Sequence, residues 1–238
     1  MFIVMLSGAL IFFLLCMFLV DTLQVLLRAI ATGLEAPILG AHLGSVFMLV
    51  NRATAALALL AIGYFVDTSI PRERLQMIYA LAAILIAILH FPLLSRRPIL
   101  AMTLFAFRRM YAKICPPEIV AASQETYAKK SPYRISAAVA AVTAVGLLGL
   151  LIPSLLASTY PAYRATLMQT GFILNSAATI INILYVEREI AMTLDEGNAD
   201  QINALYNSYT ISRAIGYCTA AAALLVPLIF SIYNIERI

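Results

Sequence analysis

The feature that most constrains this chain is a recurrence of apolar runs of roughly 20 residues, a length that crosses about 30 Å of hydrocarbon as a helix. "IVMLSGALIFFLLCMFLVDTLQVLLRA" is the first, and similar runs return along all 238 residues. Backbone inside a bilayer must satisfy its own hydrogen bonds, so each run is read as a helix. Composition agrees: 63% of residues are hydrophobic and 12% charged, where a soluble domain carries about a quarter charged. The mean hydropathy is +0.92. The expected fold is an all-α polytopic membrane protein with six transmembrane helices, near 3–29, 38–66, 77–95, 135–158, 162–186 and 204–232. A single transmembrane domain, 1–238, holds them all.

The breaks between runs carry turn chemistry. Pro71 lies in "DTSIPRERLQ", Pro92 is expected to kink or end the third helix, and "STYP" joins the fourth to the fifth. The long connection, 96–134, contains "SRRPILAMTLFAFRRMYAK", whose ten or so apolar residues between arginine pairs are too few to span. An interfacial or half-inserted helix is expected there.

Lys and Arg set the orientation. Arg28, Arg96, Arg97, Arg108, Arg109, Lys113, Lys129, Lys130, Arg134 and Arg188 fall near the first, third and fifth connections. Arg72, Arg74, Arg164 and Arg237 fall on the other side. The richer side is cytoplasmic, so both termini are expected outside. The net charge of +4 therefore reflects topology and does not imply a nucleic-acid partner. Cys16, Cys115 and Cys218 have no metal-ligand spacing and read as apolar fillers. The first run is too long for a signal peptide and is read as a retained helix. No HExxH, GxSxG with partners, or Walker A is present, so neither enzymatic chemistry nor a cofactor is expected. His42 and His90 are isolated, and His90, before Phe91 and Pro92, reads as a helix-end hydrogen bonder.

The informative residues are the charges inside the runs. Arg52 lies about 14 residues into the second helix, near mid-membrane, where an arginine costs about 2.5–3.5 kcal/mol on insertion scales. At that depth the side chain snorkels poorly, so it is expected to face the bundle interior or a wet cavity. Arg213 repeats the situation in the last helix, sharing a face with Tyr206, Tyr209 and Tyr217 and with Gly216 one turn away. Asp21, Gln24 and Arg28 form one stripe on the first helix. Asn175, Thr179 and Asn182 form another on the fifth. "NRATAALALL" at 51–60 echoes "SRAIGYCTAAAALL" at 212–225, which would relate the first two helices to the last two.

Two readings of these charges stand side by side. In one, Arg52 pairs with Asp21 or Glu187 and only fixes helix register. In the other, Arg28, Arg52 and Arg213 outnumber Asp21 and Glu187, and an anion completes the balance. Guanidinium suits phosphate oxygens, and a phosphorylated lipid would place its head among these groups and its tail in the bilayer. Glycines 33, 40 and 171 are candidate flex points, with packing as the alternative role.

With these motifs in place, the chain resembles the Amj family of bacterial lipid II flippases, which can substitute for the MurJ type in peptidoglycan synthesis. The likeness runs over about residues 15–236. It rests on "LLRAIATG" with Arg28, "MLVNRATAAL" with Asn51 in a serine position and Arg52, and "RPILAMTLFAFRRMYAK". It continues in "YPAYRATLMQTGFILNSAATIINILYVEREIAMTLDEG" with Arg164, Asn175 and Glu187, and in "TISRAIGY" with Ser212, Arg213 and Gly216. The resemblance implies a multi-pass protein of the bacterial cytoplasmic membrane that moves undecaprenyl-pyrophosphate-linked muropeptide from the inner to the outer leaflet. On that reading Arg28, Arg52 and Arg213 bind the pyrophosphate. Asp21, Gln24, Asn51, Asn175, Asn182, Glu187, Ser212 and Tyr209 line the cavity. Arg108, Arg109, Lys129 and Lys130 draw anionic lipids to the cytoplasmic face, and a homodimer is expected because six helices are few for a full cavity. The competing expectations are a scaffold or regulatory subunit of an envelope-assembly complex, and an exporter of another anionic amphiphile.

Overall fold

The computed structural model describes residues 2–33, 37–68, 70–95, 133–195 and 199–235. Helices α1 (Phe2–Gly33), α2 (Pro37–Asp67) and α3 (Arg72–Ser95) come first. After the long connection come α4 (Tyr133–Thr159), a 3₁₀ turn (Pro161–Tyr163), α5 (Arg164–Ile181), a π-helical turn (Asn182–Glu187) and α6 (Arg188–Asp195). Helix α7 (Ala199–Ile235) closes the order. Among the described residues, six segments are long and apolar enough to cross a membrane: Met5–Ala29, His42–Asp67, Arg72–His90, Ala137–Thr159, Pro161–Leu194 and Ala204–Ile229. The protein is thus an all-α, six-helix polytopic membrane protein, with no strand among the described residues.

Local chemistry explains the boundaries. Pro37 opens α2 at the first helical position, where a missing N–H costs nothing. The carbonyl of Pro71 accepts from the N–H groups of Arg74 and Leu75 at 3.0 and 3.1 Å, and Glu73 sits in the first turn of α3, where the helix dipole favours an acid. Helix α3 therefore begins at Arg72 and not near 77. It also continues through Pro92 to Ser95. At the end of α4, the hydroxyls of Ser158 and Thr159 both donate to the Leu155 carbonyl, which helps close the helix before Pro161. The fifth span runs beyond 186, through the π turn, to Asp195. The expected interfacial helix and Arg108, Arg109, Lys129 and Lys130 lie outside the described residues.

Four helices form the interior and two flank it. Helix α7 packs on α3 and α4, and α1 packs on α3 and α7. Their shared core includes Leu10, Leu14, Tyr79, Ile86, Leu147, Leu151 and Tyr217, with Phe65 of α2 reaching into it. Half of the third, fourth and sixth spans lies inside the bundle, against 17% of the second and 11% of the fifth. Helix α2 leans chiefly on α1 and α5 on α4. Residues 172–177 are all exposed, so the middle of the fifth span is held along a thin line. Polar groups within the core are satisfied locally. The Tyr79 hydroxyl donates to Ser154 at 2.8 Å, Ser154 to the Leu151 carbonyl at 2.7 Å, and the Gln76 amide to the Leu224 carbonyl.

Glycines set the closest approaches. A Cβ at Gly216 would stand 2.6 Å from the Ala140 carbonyl oxygen and 2.8 Å from Thr143 Cβ, so only glycine lets α7 reach α4 there. Pro153 cannot donate to the Gly149 carbonyl, and Gly171 of α5 comes within 3.2 Å of that oxygen, measured from an added Cβ. Gly40 packs on α1, its Cβ position 2.7 Å from Ala31 Cβ. At Gly40 and Gly171, then, the small side chain serves packing.

A polar seam closed by ion pairs

The polar stripe of α1 forms because Asp21, Gln24 and Arg28 are spaced three and four residues apart on one helix face. Glycine brings α2 down onto it: a Cβ at Gly44 would lie 3.2 Å from Arg28 Cδ and 3.7 Å from Gln24 Cγ. Asn51, seven residues on from Gly44 and so on the same face of α2, has a buried Oδ1 with no hydrogen-bond partner. An amide oxygen left unbonded in a buried site costs about 1–3 kcal/mol. This position therefore wants a donor.

Opposite the stripe stands the fifth span. Arg28 Nη1 donates to Glu187 Oε2 at 2.9 Å, with both side chains about a quarter exposed. Glu187 is the last residue of the π turn. Such turns widen a helix and recur where function needs a side chain re-aimed. At the other end of the same seam, Arg164 Nη1 donates to Asp67 Oδ1 at 3.0 Å, tying the start of α5 to the end of α2. The Arg164 Nε is buried without an acceptor. Helix α5 is thus bracketed by two backbone irregularities, each carrying an ion pair to the first helical hairpin.

A third pair lies deeper. Arg213 Nη2 donates to Asp21 Oδ2 at 2.5 Å, Nη1 to the Tyr209 hydroxyl at 2.8 Å, and Nε and Nη2 to the Tyr217 hydroxyl at 3.2 and 2.7 Å. Its guanidinium carbon lies 5.6 Å from the centroid of each tyrosine ring, within cation–π range. The i,i+4 spacing of Tyr209, Arg213 and Tyr217 dictates this arrangement. Tyr206, on the same face, turns its hydroxyl to the Leu93 carbonyl at 2.6 Å.

The expected site residues thus separate into three groups. Asp21, Arg28, Glu187, Arg213 and Tyr209 come together as two networks, with Gln24 alongside. Asn51 is half-buried on the Gly44 face of α2, Asn182 opens the π turn half-buried, and Ser212 is buried on α7. Asn175 is exposed, with Oδ1 3.9 Å from an added Cβ at Gly146. Arg52, expected to face the bundle interior or a wet cavity, is instead exposed on the bundle surface, because α2 packs chiefly on α1 and leaves its other faces uncovered, and no carboxylate among the described residues pairs with it. Arg52 and Arg213 therefore occupy opposite environments despite the echo in their sequences. The acids expected beside Arg52 belong to other arginines: Asp21 pairs with Arg213 and Glu187 with Arg28. Of Arg28, Arg52 and Arg213, the first and last each have their own carboxylate, and Arg52 has none among the described residues.

Sequence reasoning missed two parts of this arrangement. The Asp67–Arg164 pair joins residues remote in sequence and has no local signature. His90 does bond within its own helix, its Nδ1 2.7 Å from the Ile86 carbonyl, but its Nε2 also reaches Thr22 Oγ1 at 2.7 Å. Thr22, adjacent to Asp21, was the available signal. No group of His, Cys, Asp and Glu among the described residues could hold a metal ion. In comparison with known proteins, the chain matches no family model, no curated protein and no solved structure.

Proposed function

We propose that this membrane protein moves a lipid with a phosphate-bearing head across the bilayer, the cargo being the undecaprenyl-pyrophosphate-linked muropeptide that the family resemblance implies. The observation that carries the reading is the seam itself. Partly exposed charges on α1 and the π turn lie where the fifth span is only thinly packed, with Arg52, which pairs with no carboxylate among the described residues, on the neighbouring helix. A head needs polar partners along its route while its tail stays in lipid, and a loosely held helix offers lateral entry.

On this reading the pyrophosphate competes with Glu187 for Arg28 and meets Arg52 on the exposed surface of α2. Arg213 fixes the field from behind, with Asp21 as its counter-charge. The Arg28–Glu187 pair closes the seam at the cytoplasmic end and Asp67–Arg164 closes it at the outer end, so opening one at a time would expose the seam to one leaflet. The orientation is that set by Lys and Arg, with both termini outside and the basic third connection at the anionic inner leaflet. The bacterial cytoplasmic membrane is the location, and a homodimer would enlarge the cavity.

The same geometry favours one other reading. Arg213 with Asp21, and Arg28 with Glu187, are pairs that could serve only to fix helix register, as in a membrane scaffold or regulatory subunit. Complementation of cells depleted of their lipid II flippases, with outer-leaflet lipid II measured, separates the two. Restored growth and restored outer-leaflet lipid II support transport. Stable protein at normal abundance with neither restored supports the scaffold.

A further inference from the structure

The cluster behind the seam contains a group that anion binding does not use. His90 is fully buried on α3, its ring 4.9 Å from that of Tyr217. Nδ1 faces the Ile86 carbonyl at 2.7 Å, and a carbonyl only accepts, so Nδ1 carries a proton. Nε2 faces Thr22 Oγ1 at 2.7 Å, and that hydroxyl also lies 3.0 Å from the Phe18 carbonyl.

The Thr22 hydroxyl is also bonded to the Tyr217 hydroxyl, whose oxygen already accepts from Arg213, so Tyr217 donates to Thr22 and the one Thr22 proton cannot serve both Phe18 and His90. If Thr22 donates to Phe18, Nε2 must itself be a donor and the imidazole is charged. If Nε2 is bare, the hydroxyl proton turns to it and the imidazole is neutral. Both states satisfy every hydrogen-bonding atom of the ring, and they differ by one proton and the rotation of one hydroxyl.

We infer that His90 is a proton-binding site inside the membrane, with Thr22 as its switching partner and the Asp21–Arg213 pair as its electrostatic control. The charged and titratable groups facing it among the described residues are Asp21 from α1 and Arg213, Tyr209 and Tyr217 from α7, with Tyr206 nearby at Leu93. Residues 135–159 of α4 contain no ionisable side chain. Asp21 and Thr22 are consecutive, so one turn of α1 presents a carboxylate to Arg213 and a hydroxyl to His90. A proton on Nε2 and the guanidinium both lie in the field of that carboxylate. If the cargo reading holds, an anionic head brought to this cluster favours the proton, and the proton favours the head.

The chain has two histidines, so His42→Gln leaves one imidazole to observe by nitrogen NMR of histidine-labelled full-length protein in detergent. The expected result is an Nδ1–H tautomer at high pH that gains a second proton within a titration from about pH 8 down to about pH 4. Arg213→Gln should move the midpoint up by about one pH unit or more, and Asp21→Asn should move it down by a similar amount, as expected for a charge within a few ångströms. Thr22→Val, nearly isosteric, should also move it down, because Nε2–H loses its acceptor. An imidazole that stays singly protonated from pH 4 to 8 in the parent and in Arg213→Gln, or a midpoint that ignores all three changes, overturns the inference. Adding a short-chain isoprenyl pyrophosphate tests the cargo reading separately: a midpoint that responds to the substitutions but not to the lipid leaves the proton site standing and removes support for the cargo.

Discussion

Arg213 and Asp21 form an ion pair whose two ends are unequally sealed, with the arginine side chain 7% exposed and the aspartate 39%. The pair joins α1 to α7 across 192 residues of sequence. Its guanidinium is committed on three nitrogens, whereas its carboxylate is half open to the seam. The interaction therefore has a fixed member and an accessible one.

That asymmetry predicts unequal costs. Asp21→Ala strands a buried cation and should destabilise the protein by about 3–5 kcal/mol. Arg213→Gln, which keeps an amide donor beside the buried Tyr209 and Tyr217 hydroxyls and leaves a carboxylate that is 39% exposed, should cost less, about 1–3 kcal/mol. The double change should be milder than the sum of the two. Thermal unfolding of the purified variants checks the order, and equal losses would contradict it.

Arg52 should behave in the opposite way. It is exposed and unpaired among the described residues, so Arg52→Gln should change stability by no more than about 0.5 kcal/mol. Transport of an anionic head should fall at least about tenfold. Unfolding temperature and transport rate, measured on one preparation, separate the two effects.

The outer latch gives a charge-reversal prediction. An exposed pair such as Asp67–Arg164 contributes at most about 1 kcal/mol, so Asp67→Arg should leave folding intact. It should change transport by up to about fivefold, the factor that 1 kcal/mol corresponds to. Adding Arg164→Asp should restore the rate. A single reversal without effect would mean that this contact does not gate the seam.

Gly216 tests the packing directly. Its added Cβ would meet backbone at Ala140, which cannot rotate aside. Gly216→Ala should cost about 1–3 kcal/mol through overpacking, read as a lower unfolding temperature. Gly63→Ala, with nothing within 4 Å of its added Cβ, should be nearly neutral.

Much of this architecture was legible in the sequence because membrane helices announce themselves by length and apolarity. The six spans follow from that alone, and the Tyr209–Arg213–Tyr217 face and the Asp21–Gln24–Arg28 stripe follow from helical spacing. Partner choice was not legible. Which acid meets which arginine depends on how helices far apart in sequence are placed, and Asp21 and Glu187 were equally available to Arg52 on paper. Depth was legible for Arg52 but direction was not, because a helix with little amphipathic bias can turn any face outward. The π turn at Asn182–Glu187 left no pattern in an evenly apolar run, and His90 looked isolated because its partners lie on other helices.

The most direct measurement is translocation of a head-labelled undecaprenyl-pyrophosphate lipid in vesicles holding the purified protein. The account predicts transfer between leaflets well above protein-free vesicles, and its loss in Arg52→Gln and Arg28→Gln while both variants remain folded. Transfer no faster than in empty vesicles, or undiminished in both variants, would contradict it.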